Sequence, residues 1–191
     1  MKLNPSQTVK IIIEQIEGKS EAVPATVYLL AEQAEIPEGL AEFTIGENMR
    51  KQGKVTWLYG RQNEPHRIVV GLGSLVGNVA EMLRRAAGTA GRSLAEHPLK
   101  RVAVSFAGLG QETYQSEQER AEALAAWTEG WLLGTYIFDK YKSERKSPTL
   151  QELILLENET PAIRDAVQRA QMRASGTILS RGLANEPPNA L

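Results

Sequence analysis

The residue types that most often do chemistry are sparse in this sequence of 191 residues, which has no cysteine and two histidines, His66 and His97. Neither histidine has another histidine or a carboxylate at the spacing of metal ligands. The serines are scattered, and none stands in the glycine-flanked turn that exposes a catalytic nucleophile. We therefore predict no catalytic residue, no cofactor-binding residue and no metal ligand in this chain.

Glutamates cluster where a long helix is predicted to begin, at Glu112, Glu117, Glu119 and Glu122. Carboxylates are favoured there because the positive end of the helix dipole attracts them. Catalytic carboxylates need burial and a partner that shifts their pKa values. We interpret this cluster as helix capping.

A glycine-rich segment, Gly71-Leu72-Gly73-Ser74-Leu75-Val76-Gly77, lies between a predicted strand and a predicted helix. Free backbone N–H groups at such a turn can hold a phosphate. The spacing differs from the dinucleotide fingerprint, because Gly77 follows Gly73 by four residues instead of three. A second glycine turn, Ala107–Gly110, follows the next strand. We favour tight turning and close packing, with phosphate binding as the alternative.

The charges give no sign of a nucleic-acid partner. The 22 Lys and Arg residues balance 23 Asp and Glu residues, which leaves a formal charge of −1 and no general attraction for polyanions. Arg84, Arg85 and Arg92 form a small basic stripe on one predicted helix. Because no aromatic residues are interleaved with them, we interpret the stripe as a solvated face.

Compartment and membrane association are also predicted from composition. The start, Met1-Lys2-Leu3-Asn4-Pro5, lacks the apolar stretch of a signal peptide. No apolar run approaches the length of a membrane span, so no membrane partner is expected. A chain without cysteine is compatible with a reducing compartment. We expect a cytoplasmic location.

The elements that must position these residues alternate between strands and helices. Period-2 patterns and β-branched residues predict strands over Val9–Ile16, Ala25–Ala31, Lys54–Tyr59, His66–Val70, Arg101–Phe106 and Thr149–Leu156. The two strands around residues 60–65 are expected to form a hairpin. This order of elements predicts an α/β fold, with a mixed sheet flanked by helices on both faces.

Period-3.6 patterns predict three helices. The first begins after Ser74 as N-cap, and the second runs from about Ser116 to Tyr141. In the second helix, Trp127, Trp131 and Phe138 are expected in the core, and Gly130 and Gly134 should allow a neighbouring backbone to approach. The third helix begins at Thr160 as N-cap, with Pro161 in its first turn, and runs to about Ala184.

Three segments, together with Val69-Val70-Gly71-Leu72-Gly73, which precedes the first of them, resemble the leucyl aminopeptidase (cytosol aminopeptidase) family of metallopeptidases. They are Arg84-Arg85-Ala86-Ala87-Gly88, the run Glu129–Lys142 that contains Gly-Thr-Tyr-Ile-Phe-Asp-Lys-Tyr-Lys, and Asn185-Glu186-Pro187-Pro188-Asn189. Their order and spacing are similar to the family over nearly the whole chain. The resemblance identifies the N-terminal domain and its linker helix, with a break near the start of the catalytic domain.

The resemblance implies that the parent protein removes N-terminal amino acids from peptides at a site with two divalent metal ions, zinc or manganese. The metal ligands would lie in the absent catalytic domain. It also implies a macro-domain-like fold, contacts with the catalytic domain of the same polypeptide, and other subunits in a hexamer. The implied role of this domain is structural. The alternative is a self-sufficient macro-like module that binds ADP-ribose or another nucleotide.

The last predicted helix has apolar residues on two sides. One side runs its whole length, with Ile163, Ala166, Val167, Ala170, Ala174 and Ile178. The other side appears only in the C-terminal half, with Met172, Gly176, Leu179 and Leu183. One domain covers one side of a helix, so we predict that Met172, Leu179 and Leu183 contact the missing catalytic domain. We place the N-terminal domain at residues 1–158 and the linker helix with its connection at residues 159–191.

Overall fold

The computed structural model describes residues 9–15, 23–62, 64–110, 113–143 and 149–187. Its strands are β1 (Lys10–Glu14), β2 (Ala25–Ala31), β3 (Val55–Leu58), β4 (His66–Gly73), β5 (Arg101–Ser105) and β6 (Glu152–Leu156). Its α-helices are α1 (Glu47–Arg50), α2 (Val79–Leu94), α3 (Glu117–Thr135) and α4 (Pro161–Ala184). Two short 3₁₀ turns lie at Glu38–Leu40 and Ala107–Leu109.

The strands form a single sheet of six, in the order β1-β6-β5-β2-β4-β3. All neighbours are parallel except β3 and β4, which form the predicted antiparallel hairpin with Trp57 opposite Ile68. The predicted mixed sheet of an α/β fold is therefore confirmed. The central strand β2 is the most buried, because alternate residues from Ala25 to Leu29 are inaccessible to solvent on the helix side.

The two faces of the sheet are covered unequally. Helices α2, α3 and α4 pack on one face, where Val27, Val104 and Leu155 meet Leu83 and Leu124 in the main core. The other face carries a smaller core of Leu30, Leu40 and Val69, packed against the segment that contains α1. Helices thus cover both faces, as predicted, but the three long helices share one of them.

Two helix boundaries differ from the prediction. Helix α2 begins at Val79 instead of after Ser74, because the Asn78 side chain accepts a hydrogen bond from the Glu81 N–H (3.0 Å) and caps the helix there. Helix α3 ends at Thr135, six residues before the predicted Tyr141. The chain turns to extended backbone at Tyr136 and follows a new path toward the end of α4.

The aromatic residues of α3 were predicted as core, and this holds for the two tryptophans. Trp127 is fully buried and Trp131 is 1% exposed, with their ring centroids 6.2 Å apart. The prediction was wrong for Phe138, which lies beyond the helix and is half-buried against Tyr141. Early termination of α3 separates Phe138 from the tryptophan side of the helix.

Glycines let α2 and α3 approach each other closely. A Cβ atom built on Gly130 would lie 2.2 Å from the Arg84 carbonyl oxygen, which no real side chain tolerates. A Cβ atom on Gly134 would lie 2.4 Å from the Cα atom of Gly88. The predicted close approach at Gly130 and Gly134 is confirmed, with α2 as the neighbouring backbone.

Candidate functional site

Helix α4 is fastened to the domain along its first side. The Thr160 side chain caps the helix by accepting from the Ile163 N–H (3.3 Å), and Pro161 occupies the first turn, as predicted. The predicted first side is buried against the core at Ile163, Ala166, Val167, Ala170 and Ala174, whereas its last predicted residue, Ile178, is only half-buried. The N-terminal part of α4 therefore belongs to the packed domain.

The second side of α4 faces solvent. Met172 is 65% exposed, Leu179 41% and Leu183 43%. Gly176, between them on the same side, has nothing within 4 Å of its Cβ position. We call Met172, Leu179 and Leu183 the outer face of α4. These three side chains leave an apolar surface in water on the C-terminal half of the helix.

The end of α4 is joined to the segment that follows α3. The Glu186 carboxylate accepts from the Lys140 ammonium group (2.6 Å) and from the Tyr141 hydroxyl. These hydrogen bonds hold the pKa of Glu186 below its ordinary value, with the Lys140 bond the larger cause. The Arg181 guanidinium donates to the Leu133 carbonyl (3.1 Å), so the last turn of α4 is tied to the last turn of α3 as well.

The segment after α3 adds apolar surface beside the end of α4. Tyr136 places its hydroxyl 3.5 Å from the Cβ position of Gly182. Ile137 is 46% exposed and Tyr141 55%. Two chain segments, far apart in sequence, therefore present exposed apolar groups around the point where the chain leaves α4.

Part of the predicted basic stripe is an ion-pair network instead of a solvated face. The Arg84 Nε atom donates to Glu129 Oε2 (3.1 Å), and Arg173 lies 3.6 Å from the same oxygen. This network joins α2, α3 and α4, and Glu129 is largely buried within it. Arg85 stays exposed and pairs with Glu81 on its own helix (2.8 Å). Helix packing therefore gives Arg84 a different environment from that of Arg85, and sequence spacing alone does not show this difference.

The glycine turns serve packing in this fold. A Cβ atom on Gly71 would lie 2.3 Å from the Lys51 carbonyl oxygen, and one on Gly108 would lie 2.2 Å from that of Leu29. Gly73, Gly77 and Gly110 adopt positive φ angles of 68°, 94° and 87°. These conformations favour glycine whether or not a ligand binds.

A cleft of about 310 Å³ lies between the start of α2 and the start of α3. Its lining includes Val79, Leu83 and Leu109 together with the carboxylates of Glu119 and Glu122. Glu119 forms a capping box with Ser116, which agrees with the interpretation of the glutamates as helix capping, and hydrogen bonds from Ser116 lower the pKa of its carboxyl group. Negative charge in the lining opposes a phosphate-bearing ligand. Glu112 of the predicted cluster lies outside the described residues.

The two histidines, distant in sequence, meet in one ring cluster. His97 stacks on Trp57 with centroids 3.8 Å apart, and His66 packs edge-on against Tyr59 at 5.5 Å. The Gly60 N–H donates to His66 Nδ1 (3.1 Å), so one ring nitrogen of His66 is engaged by the backbone. The predictions from sequence did not include this cluster. The predicted hairpin of β3 and β4 already indicated that His66 lies near Tyr59, but nothing in the sequence placed His97 beside Trp57. Among the described residues, no three His, Asp or Glu side chains are grouped to hold a metal ion.

Fold and contacts define a class of protein: a mixed α/β domain whose long helices share one face and whose last helix carries an exposed apolar side. The model of the cytosol aminopeptidase family, N-terminal domain, matches residues 44–145. The chain belongs to the cytosol aminopeptidase family and corresponds to its N-terminal domain. Within the part of the chain that the structure describes, no helix is long and apolar enough to cross a membrane.

Curated relatives support this assignment over most of the chain. A probable cytosol aminopeptidase of Roseiflexus castenholzii is 31% identical over 191 residues, which cover 96% of this chain and 38% of the relative. One from Cenarchaeum symbiosum is 30% identical over 156 residues, covering 80% and 29%. The chloroplastic neutral leucine aminopeptidase of tomato is 34% identical over 126 residues, covering 64% and 21%. The chain thus spans less than two fifths of the length of these relatives.

Solved structures show the same fold. A tomato leucine aminopeptidase mutant superimposes with a TM-score of 0.74 at 20% identity, covering 96% of this chain and 39% of that chain. The bottromycin maturation enzyme BotP in complex with Mn gives a TM-score of 0.63 at 25% identity, covering 87% and 32%. The segments that carry the resemblance meet in space, because Gly88 contacts Gly134, Arg84 pairs with Glu129, and Lys140 pairs with Glu186.

Proposed function

We propose that this chain is the non-catalytic N-terminal domain of a leucyl aminopeptidase-like metallopeptidase, which removes N-terminal amino acids from peptides. Its role is structural: it supports the catalytic domain of the same polypeptide. The observation that carries this proposal is the exposed outer face of α4, Met172, Leu179 and Leu183, which lies next to a connector held through the buried Glu186 carboxylate. Exposed apolar patches beside a fixed connector favour docking of a covalently linked partner.

The proposed division of the chain places the domain at residues 1–158 and the linker helix with its connection at residues 159–191. Helix α4 has both roles along its length. Ile163 and Val167 are buried against the domain, whereas Leu179 and Leu183 face outward. A helix of this kind packs into one domain through its N-terminal part and leaves its C-terminal part free to contact a second domain of the same chain.

The metal chemistry of the proposed parent enzyme belongs to the catalytic domain. Two divalent ions, zinc or manganese, would polarise the peptide carbonyl and activate water there. The described residues do not fit such a site, since they contain no cluster of three metal-ligating side chains. The Glu119 and Glu122 pair lines a cleft, but Glu119 is engaged in capping α3.

Assembly and location complete the proposal. We place the parent protein in the cytoplasm and in a hexamer, with this domain contributing to contacts between subunits. The cytosolic naming of the Roseiflexus and Cenarchaeum relatives supports the location, while the tomato relative is named chloroplastic. No observation favours nucleic acid as a partner, because the formal charge is −1.

A chimera tests the docking surface. This chain would replace the matching N-terminal part of the Roseiflexus relative, which aligns with 96% of it. Replacing Leu179 and Leu183 by glutamine in the chimera should reduce aminopeptidase activity and the fraction of assembled protein in analytical ultracentrifugation. The outer face of α4 would then no longer present the apolar surface that the catalytic domain is proposed to contact.

Two other exposed apolar residues provide the matched control. Ile36 is 43% exposed and Val76 80%, and both lie away from α4. The variant with Ile36→Gln and Val76→Gln should keep the activity and assembly of the parent chimera. If the two double variants of an active chimera had the same aminopeptidase activity and the same fraction of assembled protein, docking at the outer face would be contradicted.

A further inference from the structure

The carboxylate of Glu186 is unusual among the charged groups of this chain because it is enclosed. Its side chain is 2% exposed, although it lies just beyond the end of α4. Oε1 accepts from Lys140 Nζ at 2.6 Å, and Oε2 accepts from the Tyr141 hydroxyl. Both oxygens thus have partners from a segment about 45 residues away in sequence.

The backbone around Glu186 is fastened at the same place. The Glu186 N–H donates to the Leu183 carbonyl (3.1 Å), and the Asn185 N–H donates to Arg181 and Gly182 (both 3.2 Å). The Asn185 side chain adds a bond from Nδ2 to the Arg181 carbonyl (2.8 Å). These bonds end the helix in a defined turn, and Pro187, which has no N–H, cannot extend it.

We propose that Glu186, Lys140 and Tyr141 form a clamp that fixes the direction in which the chain leaves α4. Glu186 is the positioning residue, because its backbone belongs to the connector and its carboxylate accepts from the segment after α3. The clamp also holds the exposed Tyr141 at the end of α4. Its consequence for docking a catalytic domain rests on the proposed function, whereas the fixed direction is a property of this chain alone.

An ordinary surface ion pair would not have this effect, and the opposite end of α4 provides one for comparison. Arg164 pairs with Glu159 at 2.7 Å, five residues apart, and their side chains are 55% and 39% exposed. Such pairs are screened by solvent and constrain little. In the clamp the lysine is similarly exposed, at 48%, but the Glu186 side chain is 2% exposed. A carboxylate that is enclosed with partners from a distant segment stays in place, because any move would leave it buried without hydrogen bonds.

The absence of cysteine permits a direct measurement of the exit direction. Cysteines introduced at the exposed Glu96, on the body of the domain, and at Pro187, on the connector, would carry spin labels. Pulsed electron–electron spin resonance then gives the distribution of distances between them. With the clamp intact, we expect one narrow peak. In Glu186→Gln and in Lys140→Met, we expect the loss of that peak and a broad distribution.

The matched control is Glu159→Gln, which removes the same charge at the other end of α4 and should keep the narrow peak. Thermal unfolding of each labelled variant separates positioning from simple stabilisation. Variants that unfold at lower temperature but keep the narrow peak would overturn the proposal, as would equal broadening in Glu159→Gln. If the peak broadens as expected but the chimera shows no docking at the outer face, the clamp stands and the proposed function fails.

Discussion

The backbone of Gly134 lies directly against that of Gly88, so that a Cβ atom on Gly134 would fall 2.4 Å from the Gly88 Cα atom. One turn earlier on α3, Gly130 is in the same situation against the Arg84 carbonyl oxygen. Helix propensity would favour alanine over glycine at both positions. The contact between α2 and α3 therefore requires glycine for space, and the ion pair of Arg84 with Glu129 forms because the helices are this close.

Replacing Gly134 by alanine should destabilise the domain by about 1–3 kcal/mol, since the methyl group forces two packed backbones apart. Gly176→Ala is the matched control, because Gly176 is also inside a helix and has nothing within 4 Å of its Cβ position. That variant should be more stable than the parent by about 0.5–1 kcal/mol. Urea unfolding gives the free energy of unfolding of both variants. A Gly134→Ala variant that is more stable than the parent would show that α2 and α3 leave room for a methyl group at this position.

Local signals in the sequence were sufficient for most elements of the fold. Strand β2 runs over Ala25–Ala31 as predicted, because β-branched and aromatic residues alternate there between two polar segments. Helix α4 begins after Thr160, with Pro161 in its first turn, and ends at Ala184, as predicted. These boundaries are set by side chains that cap or break an element locally, which a sequence displays directly.

Long-range partners account for what the sequence did not show. Helix α3 stops at Thr135 although its apolar pattern continues, because Lys140 and Tyr141 reach the connector after α4. The pairing of Arg84 with Glu129 spans 45 residues, and no local pattern predicts it. In the candidate site, the exposed apolar side of α4 followed from helical periodicity, whereas the buried Glu186 carboxylate required the structure.

Tyr114 should make the domain sensitive to alkaline pH. Burial raises the pKa of its hydroxyl, and the hydrogen bond that it donates to Glu157 raises it further. A raised pKa in the folded state means that the stability is fully present below the unfolded value of about 10 and is lost as pH rises above it. Stability measured by urea unfolding should therefore begin to fall at about pH 10 and continue to fall as the pH rises further.

The Tyr114→Phe variant tests this assignment. It should be less stable at pH 7 because the buried Glu157 carboxylate loses a donor. Its stability should fall less steeply than that of the parent above pH 10, since one raised tyrosine pKa is gone. Tyr59→Phe is the control, because Tyr59 is 63% exposed. Parallel pH curves for Tyr114→Phe and the parent would rule out Tyr114 as the source of the alkaline loss.

Added ligands should leave the thermal stability of this chain unchanged. A nucleotide-binding module at 100 times its dissociation constant gains about 2.7 kcal/mol. Gly71 and Gly108 are packed against backbone oxygens, and the cleft beside Leu109 is lined by Glu119 and Glu122. We therefore expect no gain from millimolar ADP-ribose. Manganese and zinc should likewise show no stoichiometric uptake in calorimetry. A rise in melting temperature with ADP-ribose that Gly73→Glu abolishes would establish a nucleotide site.

The two sides of α4 should respond oppositely to substitution in the isolated chain. Ile163 is 1% exposed against the core, so Ile163→Ala should cost about 2–5 kcal/mol through lost burial and the cavity that remains. Leu179 and Leu183 are 41% and 43% exposed, so the double replacement by glutamine should change stability by no more than about 0.5 kcal/mol per site. Chemical denaturation at several protein concentrations separates this effect from self-association through the exposed leucines. If the double variant of a monomeric chain lost as much stability as Ile163→Ala, the outer face would be covered within this chain, and the surface proposed for the catalytic domain would not be free to bind it.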